Sequence, residues 1–142
     1  MSTSSRSGAE LVMYAARLVR VIGRAAALDS PVTLRLLSQL DELGPVSITE
    51  LARADRTTQP TISTAVRALE QRGLVTRTAN EQDARSSTLA LTVAGREELA
   101  AARERHAEVL ADLVATHGVE PAALQNAVDV LRRLTTPDRP HH

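Results

Sequence analysis

The residues best able to do chemistry in this chain lie on one face of a short predicted helix. Helical spacing places Gln59, Pro60, Ser63, Thr64 and Arg67 on that face. These residues carry small hydrogen-bonding groups and one guanidinium, with no large apolar side chain among them. Such a face makes a poor core, but it can enter the major groove of DNA and contact base edges there. Taken alone, the face fits an ordinary solvated helix surface equally well.

A second candidate group lies in the polar stretch between two predicted strands. This stretch reads Asn80-Glu81-Gln82-Asp83-Ala84-Arg85-Ser86-Ser87. Because Asp83 lies two residues before Arg85, its carboxylate can hold the guanidinium in a fixed orientation. A preoriented Arg on a β-ribbon can enter a narrow minor groove, where the negative potential is enhanced. Alone, a surface ion pair is the simpler interpretation. The position of this polar stretch directly after a predicted helix-turn-helix favours the interpretation that it contacts DNA.

Other chemistries find no support in the sequence. The 142 residues contain no Cys, which excludes disulfides, thiolate catalysis and thiol redox sensing. His106 and His117 lie eleven residues apart, which is not a metal-ligand spacing. Neither a nucleophile–base pair nor a phosphate-binding Gly-rich loop is recognisable. We therefore expect a protein that is not an enzyme and that needs no cofactor and no metal.

Local patterns place both candidate groups within a defined order of elements. Apolar residues at helical spacing predict helices, and short alternating β-branched runs predict strands. Ser47 and Thr58 suit helix N-caps, Pro60 suits a first turn, and Gly73 and Gly118 suit helix ends. The predicted helices are 9–28, 31–42, 48–54, 58–72, 92–116 and 120–134, the predicted strands are 74–78 and 88–91, and residues 1–8 are expected to fray.

This order predicts a mainly α fold with a small β-hairpin wing, that is, a winged helix-turn-helix combined with a helical dimerisation region. The short turn 55–57 requires the two helices that it joins to cross at a steep angle. We expect one compact domain. Its parts are N-terminal scaffold and dimerisation helices at 1–44, a DNA-binding region at 45–92, C-terminal dimerisation helices at 93–135 and a polar tail at 136–142.

Two predicted helices have apolar faces that the winged helix alone cannot cover. These are the wide face of 9–28 and the stripe of 122–134. Packing within one chain is one interpretation, and an interface between two chains is the other. We favour the interface, because a symmetric dimer would also present two recognition helices about one DNA turn, roughly 34 Å, apart.

The charge distribution is compatible with DNA although the net charge is zero. Seventeen Arg balance 17 acidic residues, and there is no Lys. From 56 to 85 there are five Arg against three acids, whereas from 92 to 134 there are five Arg against seven acids. This asymmetry predicts modest non-specific DNA affinity, with a second set of phosphate contacts supplied by dimerisation. Arg residues interrupt every long apolar stretch, and no secretory signal opens the chain, so we expect no membrane association and a cytoplasmic protein.

Several segments resemble the MarR family, the multiple antibiotic resistance regulators with a winged helix. The resemblance is carried by Ile48-Thr49-Glu50-Leu51-Ala52, Thr58-Gln59-Pro60-Thr61-Ile62-Ser63 and Leu69-Glu70-Gln71-Arg72-Gly73-Leu74-Val75. In the wing, Asp83-Ala84-Arg85-Ser86-Ser87-Thr88-Leu89 is similar to the family's D-x-R-x-x-x-[LV] pattern. Leu91-Thr92-Val93-Ala94-Gly95 is similar to the start of the family's long fifth helix. Together these motifs span residues 48–95.

The resemblance implies a bacterial transcription regulator, most often a repressor. It implies a homodimer formed by the terminal helices, with two winged helices that bind a pseudo-palindromic operator in double-stranded DNA. It also implies release by a small-molecule effector in many members. The DNA-binding residues implied by the motifs are Thr58, Gln59, Pro60, Thr61, Ser63, Thr64 and Arg67 on the recognition helix, with Asp83 and Arg85 in the wing.

The chain departs from the family pattern in ways that affect function. A second basic residue commonly accompanies the wing Arg, but Ala84 and Ser86 flank Arg85 here, which predicts weaker minor-groove electrostatics. The absence of Cys excludes the family's thiol-based peroxide sensors. Many members bind aromatic acids between the DNA-binding and dimerisation regions, and no aromatic cluster marks such a site here. The cationic candidates for it are Arg17, Arg20, Arg24 and Arg35.

The alternative function is a winged-helix module for protein–protein assembly that does not bind DNA. A protein-binding surface would need exposed apolar or aromatic anchors. The predicted face from Gln59 to Arg67 offers none, which favours DNA.

Overall fold

The computed structural model describes residues 2–26, 31–79 and 87–136. Within these ranges the chain is mainly helical with one small sheet, which confirms the predicted winged-helix fold class. The elements are α1 (Thr3–Ala25), α2 (Pro31–Leu43), β1 (Val46–Ser47), α3 (Ile48–Asp55), α4 (Gln59–Gln71), β2 (Val75–Ala79), β3 (Ser87–Leu91), α5 (Val93–His117) and α6 (Pro121–Thr135).

The sheet contains one more strand than the sequence predicts. The antiparallel order is β1-β3-β2, with Val46 opposite Leu89. At two residues, β1 is too short to show the alternation by which a strand is recognised in a sequence. The hairpin of β2 and β3 lies where the sequence predicts it. Its strand pairing extends one residue further on each side, to Ala79 and Ser87, beyond the predicted strand ends.

Helix α1 begins earlier than predicted, so the expectation that residues 1–8 fray was wrong for residues 3–8. The Ser2 hydroxyl accepts a hydrogen bond from the backbone N–H of Ser5 at 3.2 Å, and the helix starts at Thr3. The polar composition of this segment suggested disorder, but the Ser2 cap satisfies an otherwise unpaired N–H of the first turn.

The helix-turn-helix is held by local caps that the sequence does predict. The Ser47 hydroxyl accepts from the N–H of Glu50 at 3.1 Å and starts α3. The Thr58 hydroxyl accepts from the N–H of Thr61 at 3.4 Å and starts α4. Each cap satisfies one of the unpaired donors at its helix terminus.

The core lies between the helix-turn-helix, α2, the sheet and the first half of α5. Ile62, Val66 and Leu69 line one face of α4 and are buried. Because this face anchors α4, its opposite face is directed away from the core. The largest fully buried side chains are Leu36, Leu37, Leu51, Ile62, Leu69, Leu89 and Val66.

Gly95 lets α5 approach the hairpin closely. It lies in the first turn of α5, where a Cβ would overlap the carbonyl oxygen of Leu74. Thr92 fixes the same contact, since its hydroxyl donates to the Gly73 carbonyl at 2.6 Å and accepts from the Gly95 N–H at 3.0 Å. The position of the wing relative to α5 therefore depends on a residue without a side chain.

We expect Gly95→Ala to lower the free energy of unfolding by about 1–3 kcal/mol, the usual cost of overpacking a well-packed site. Urea denaturation followed by circular dichroism measures the change. Gly8→Ala is the matched control, because Gly8 is also helical and nothing lies within 4 Å of its added Cβ. That control should be neutral or slightly stabilising. Equal stability of Gly95→Ala and the wild type would contradict the close approach.

Helices α1 and α6 leave most of their apolar surface uncovered within one chain. Neither helix has a buried residue. On α6, the apolar stripe of 122–134 is uncovered at Val128, Leu131 and Leu134, with Leu134 67% exposed. This stripe is therefore not packed against the rest of the same chain. No helix of the described residues is long and apolar enough to cross a membrane.

Candidate nucleic-acid interface

A tight turn sets the angle between α3 and α4. Helix α3 ends at Asp55, and Arg56 follows in the left-handed conformation, with φ 56°. Thr58 then caps α4, so only 56–58 separate the two helices. The two helices pack against each other through buried residues that include Leu51 and Ile62. A helix pair joined by so short a turn and packed through a shared core is a helix-turn-helix.

The face of α4 opposite the core carries the predicted polar residues. Ser63 is half-buried, and the other members of the set are exposed. No large apolar side chain of α4 is exposed in the described structure. The exposed members are Thr58, Gln59, Pro60, Thr61, Thr64 and Arg67.

Several of these polar groups are already held by neighbours. The Gln59 side-chain amide donates to the Thr49 hydroxyl of α3 at 2.9 Å. The Thr64 hydroxyl donates to the Pro60 carbonyl at 3.1 Å, so its oxygen can act outward only as an acceptor. The Gln59 side chain is thus oriented by α3 before any ligand binds. The sequence analysis missed Thr49, because its partner is ten residues away on another helix.

The cations near this face differ in how strongly they are engaged. Arg67 is exposed and forms no ion pair or side-chain hydrogen bond with the described residues. Arg77 of β2 donates to Glu70 of α4 at 2.9 and 3.1 Å. Arg67 therefore offers an uncommitted guanidinium beside the polar face, whereas the charge of Arg77 is largely balanced by Glu70.

The predicted wing residues lie outside the described residues. Strands β2 and β3 are paired up to Ala79 and Ser87, and Asp83 and Arg85 fall in the segment between these two positions. Their mutual orientation and their contact with DNA stay predictions.

A buried carboxylate ties the end of α3 to α2. Asp55 accepts from Arg35 Nε at 2.7 Å, from Arg35 Nη2 at 3.2 Å and from Gln39 Nε2 at 3.0 Å. Its side chain is only 3% exposed. Hydrogen bonds from Arg35 lower the pKa of Asp55, against the opposing effect of burial, so the carboxylate is charged at neutral pH. The sequence analysis did not find this network, since nothing in the local pattern pairs α2 with the last residue of α3.

A cleft of about 760 Å³ opens between α1, α2 and His106 of α5, and it shares Arg35 and Gln39 with this network. Arg20 and Arg24 of α1 and Arg35 of α2 line it, together with Gln39 and Glu42. Three of the four Arg residues considered for effector binding therefore meet here.

The fourth candidate, Arg17, lies elsewhere. Its guanidinium is 5.1 Å from the centre of the Tyr14 ring, in a separate groove beside α5 and α6. Among residues 2–26, 31–79 and 87–136, no group of three or more acidic or His residues could hold a metal ion.

Comparisons with known proteins find a family and solved structures that this chain resembles. The MarR family model matches residues 30–87. A crystal structure of a transcriptional regulator protein from Pseudomonas aeruginosa PA01 is similar over 98% of this chain and 99% of its own, with 28% identity and a TM-score of 0.79. No match was found among curated proteins.

Two more distant structures share the fold. Bordetella bronchiseptica BpsR, whose DNA binding is regulated by 6-hydroxynicotinic acid, is 21% identical over 92% of this chain and 99% of its own, with a TM-score of 0.65. A MarR mutant from E. coli, solved in complex with operator DNA, is 14% identical over 91% of this chain and 93% of its own, with a TM-score of 0.62.

Proposed function

We propose, from the match of residues 30–87 to the MarR family model, that this chain is a sequence-specific DNA-binding transcriptional regulator. It acts as a homodimer on a pseudo-palindromic operator, as a repressor that a small effector releases. The single observation that carries the proposal is the polar, exposed face of α4, presented by a helix-turn-helix and free of large apolar side chains. Such a face suits base edges rather than a protein partner.

Helix α4 enters the major groove with its N-terminal half. Gln59, already oriented by Thr49, offers its amide oxygen and its remaining N–H to a base edge. Arg67 contacts a phosphate or a guanine, because its guanidinium has no competing partner among the described residues. Thr64 contributes an acceptor and a methyl group. Thr58, Pro60, Thr61 and Ser63 complete this surface.

The wing contacts the adjacent minor groove. Arg85 is the residue that enters it, and Asp83 orients its guanidinium. The hairpin supports this assignment, because β2 and β3 are paired along their described length and carry the segment 80–86 between them. A minor-groove contact adds affinity and A·T preference rather than a full base code.

The dimer forms through α1 and α6. Most large apolar side chains that stay exposed lie on these two helices, among them Val12, Leu18, Leu131 and Leu134. A second copy of the same chain can cover such faces symmetrically. The dimer doubles the DNA-contacting surface, which offsets the absence of a net positive charge on each chain.

The effector site is the 760 Å³ cleft between α1 and α2. The three Arg side chains in its wall, against the single acid Glu42, favour an anionic ligand. BpsR, which shares the fold, is regulated by a small organic acid, which is compatible with such a site. The ligand would act by favouring an arrangement of the two α4 helices that no longer fits both half-sites.

Selection of bound fragments from a random DNA library tests the proposal. We expect enrichment of one sequence with dyad symmetry whose half-site centres lie about 10 base pairs apart. Enrichment without symmetry would contradict the dimeric mode of binding. No enrichment at all would contradict DNA recognition and would favour the alternative function, a winged helix that serves protein assembly.

We expect Gln59→Ala to change which base is enriched at one position of each half-site, at a cost of about 1–3 kcal/mol for the original base. The slope of log affinity against log salt should stay unchanged, because no phosphate contact is lost. Repeating the selection and the salt titration with the variant measures both quantities. An unchanged base preference would contradict the assignment of Gln59 to a base edge.

A further inference from the structure

We propose that Thr49 determines base specificity, because it holds the Gln59 amide in the orientation that pairs with adenine and disfavours guanine. Thr49 acts through Gln59, so it is a positioning residue and not itself a contact to the base. This inference rests on the proposed function. It deepens the assignment of Gln59 to a base edge by naming the base and the residue that selects it.

The first observation is that the Gln59 side chain is held from a neighbouring helix. Gln59 is the first residue of α4, and its Nε2 donates to the Thr49 hydroxyl oxygen at 2.9 Å. Thr49 is the second residue of α3, a helix that Ser47 caps by accepting from the N–H of Glu50 at 3.1 Å. This cap fixes the backbone that carries the Thr49 hydroxyl before DNA binds.

The second observation is that no other described group shares this task. Two further hydroxyls at the start of α4, those of Thr58 and Thr61, lie 2.9 Å apart and engage each other instead. Among the described residues, the Gln59 side chain has Thr49 as its hydrogen-bond partner. Without the Thr49 hydroxyl, no hydrogen bond of the described structure fixes the orientation of this amide.

The hydrogen bond also decides which end of the amide faces outward. Nε2 uses one of its two N–H groups on Thr49, which leaves Oε1 and the second N–H for a ligand. Gln59 is exposed, so both groups are accessible to DNA. An acceptor beside a donor matches the major-groove edge of adenine, where the N6 amino group donates and N7 accepts.

Guanine is disfavoured by the same orientation. Its major-groove edge carries two acceptors, O6 and N7. An outward Oε1 would face O6 with no hydrogen between the two oxygens, and an acceptor left unpaired in a desolvated interface is costly. A Gln59 side chain that is free to rotate can instead turn its amide NH2 toward guanine. Thr49 therefore selects adenine by opposing that rotation.

A phosphate contact or a purely structural role for Thr49 predicts a different result. In either case, loss of the hydroxyl would weaken binding to every operator by the same factor, because phosphate contacts carry no sequence information. A positioning role predicts a change in the ratio of affinities for two operators that differ only at one base pair of each half-site. That ratio is therefore the readout that separates the roles.

We expect the wild type to bind an operator with adenine at the Gln59 position at least about fivefold more tightly than one with guanine. This position is the one at which Gln59→Ala changes the enriched base. Thr49→Val keeps the shape of the side chain but removes the hydroxyl, and it should lower the ratio at least about twofold, the lower end of the net value of one hydrogen bond. Thr49→Ser keeps the hydroxyl and should retain the wild-type ratio. Fluorescence anisotropy with the two operators measures these affinities.

Two results would overturn the proposal: an unchanged ratio in Thr49→Val, and a wild-type preference for guanine. Thr49→Val combined with Gln59→Ala is the matched control. Because Thr49 acts only through the amide, the combined variant should have the same ratio as Gln59→Ala alone. A further change of the ratio in the combined variant would count against the positioning role.

Base analogues test the orientation in the wild-type protein, so the proposal stays testable even if Thr49→Val does not fold. Purine lacks the N6 amino group that donates to Oε1, and 7-deazaadenine lacks the N7 acceptor. We expect each analogue, placed at the Gln59 position, to weaken wild-type binding and to affect Gln59→Ala much less. Unchanged wild-type affinity for the purine operator would contradict an outward Oε1.

Failure of this inference is distinguishable from failure of the proposed function. Enrichment of a symmetric operator with guanine at the Gln59 position would overturn the role of Thr49 and leave DNA recognition standing. No enrichment of any sequence would overturn both.

Discussion

Leu134→Asp should convert the dimer to a monomer and lower operator affinity by about 100-fold or more. Leu134 lies on the uncovered face of α6 and is 67% exposed in one chain. An Asp there is tolerated by the isolated chain but buries an unpaired charge when a second copy packs on the face. Losing the dimer removes the second half-site, and linked sites commonly gain a factor of 10²–10⁴ in apparent affinity. Sedimentation velocity and fluorescence anisotropy with the selected operator measure the two effects.

Val93→Asp is the matched control for that experiment. Val93 is 63% exposed but lies at the start of α5, outside the α1 and α6 faces. Its variant should remain a dimer. A Leu134→Asp protein that stays dimeric would contradict the assignment of α6 to the interface.

Arg85→Ala should weaken operator binding by about 1–3 kcal/mol, that is, about 5- to 150-fold, while dimer and fold stay intact. The loss arises because the minor groove of A·T-rich DNA has an enhanced negative potential that one inserted guanidinium relieves. We expect the DNA fragments selected by the wild-type protein to be enriched in A·T pairs beside each half-site. This enrichment should be weaker for the variant. Fluorescence anisotropy at several salt concentrations measures the affinity.

Arg77→Ala is the control for Arg85→Ala, since it removes the same charge from the same hairpin. Glu70 already engages the Arg77 guanidinium at 2.9 Å, so its loss should affect DNA binding much less. Equal effects of the two variants would indicate a general charge effect and would contradict the specific role of Arg85.

The parts of the fold that depend only on residues close together in the chain could be predicted from the sequence. The caps at Ser47 and Thr58 and the helix ends at Gly73 and Gly118 follow from local chemistry, and the structure confirms them. The polar face of α4 follows from helical spacing, because a residue's face is fixed once the buried side is known. Strand β1 could not be predicted, since its two residues are extended only because β3 pairs with them.

The candidate DNA-binding site shows the same division between features set by local sequence and features set by tertiary packing. The exposed positions of Gln59 and Arg67 were predicted, whereas the hydrogen bond from Gln59 to Thr49 depends on how α3 crosses α4. The Asp55 network joins residues that are 16 and 20 positions apart in the chain. No local pattern encodes such a contact. The sequence therefore predicts which residues face outward, and the tertiary packing decides which of them are held in place.

In the proposed complex, the two α4 helices of one dimer bind in adjacent major grooves. Methylation interference on the selected operator tests it most directly, because N7 methylation of guanine blocks major-groove contacts specifically. We predict two patches of interference on one face of the DNA, centred about 10 base pairs apart and related by dyad symmetry. A single patch, or binding that major-groove methylation leaves unaffected, would contradict the account.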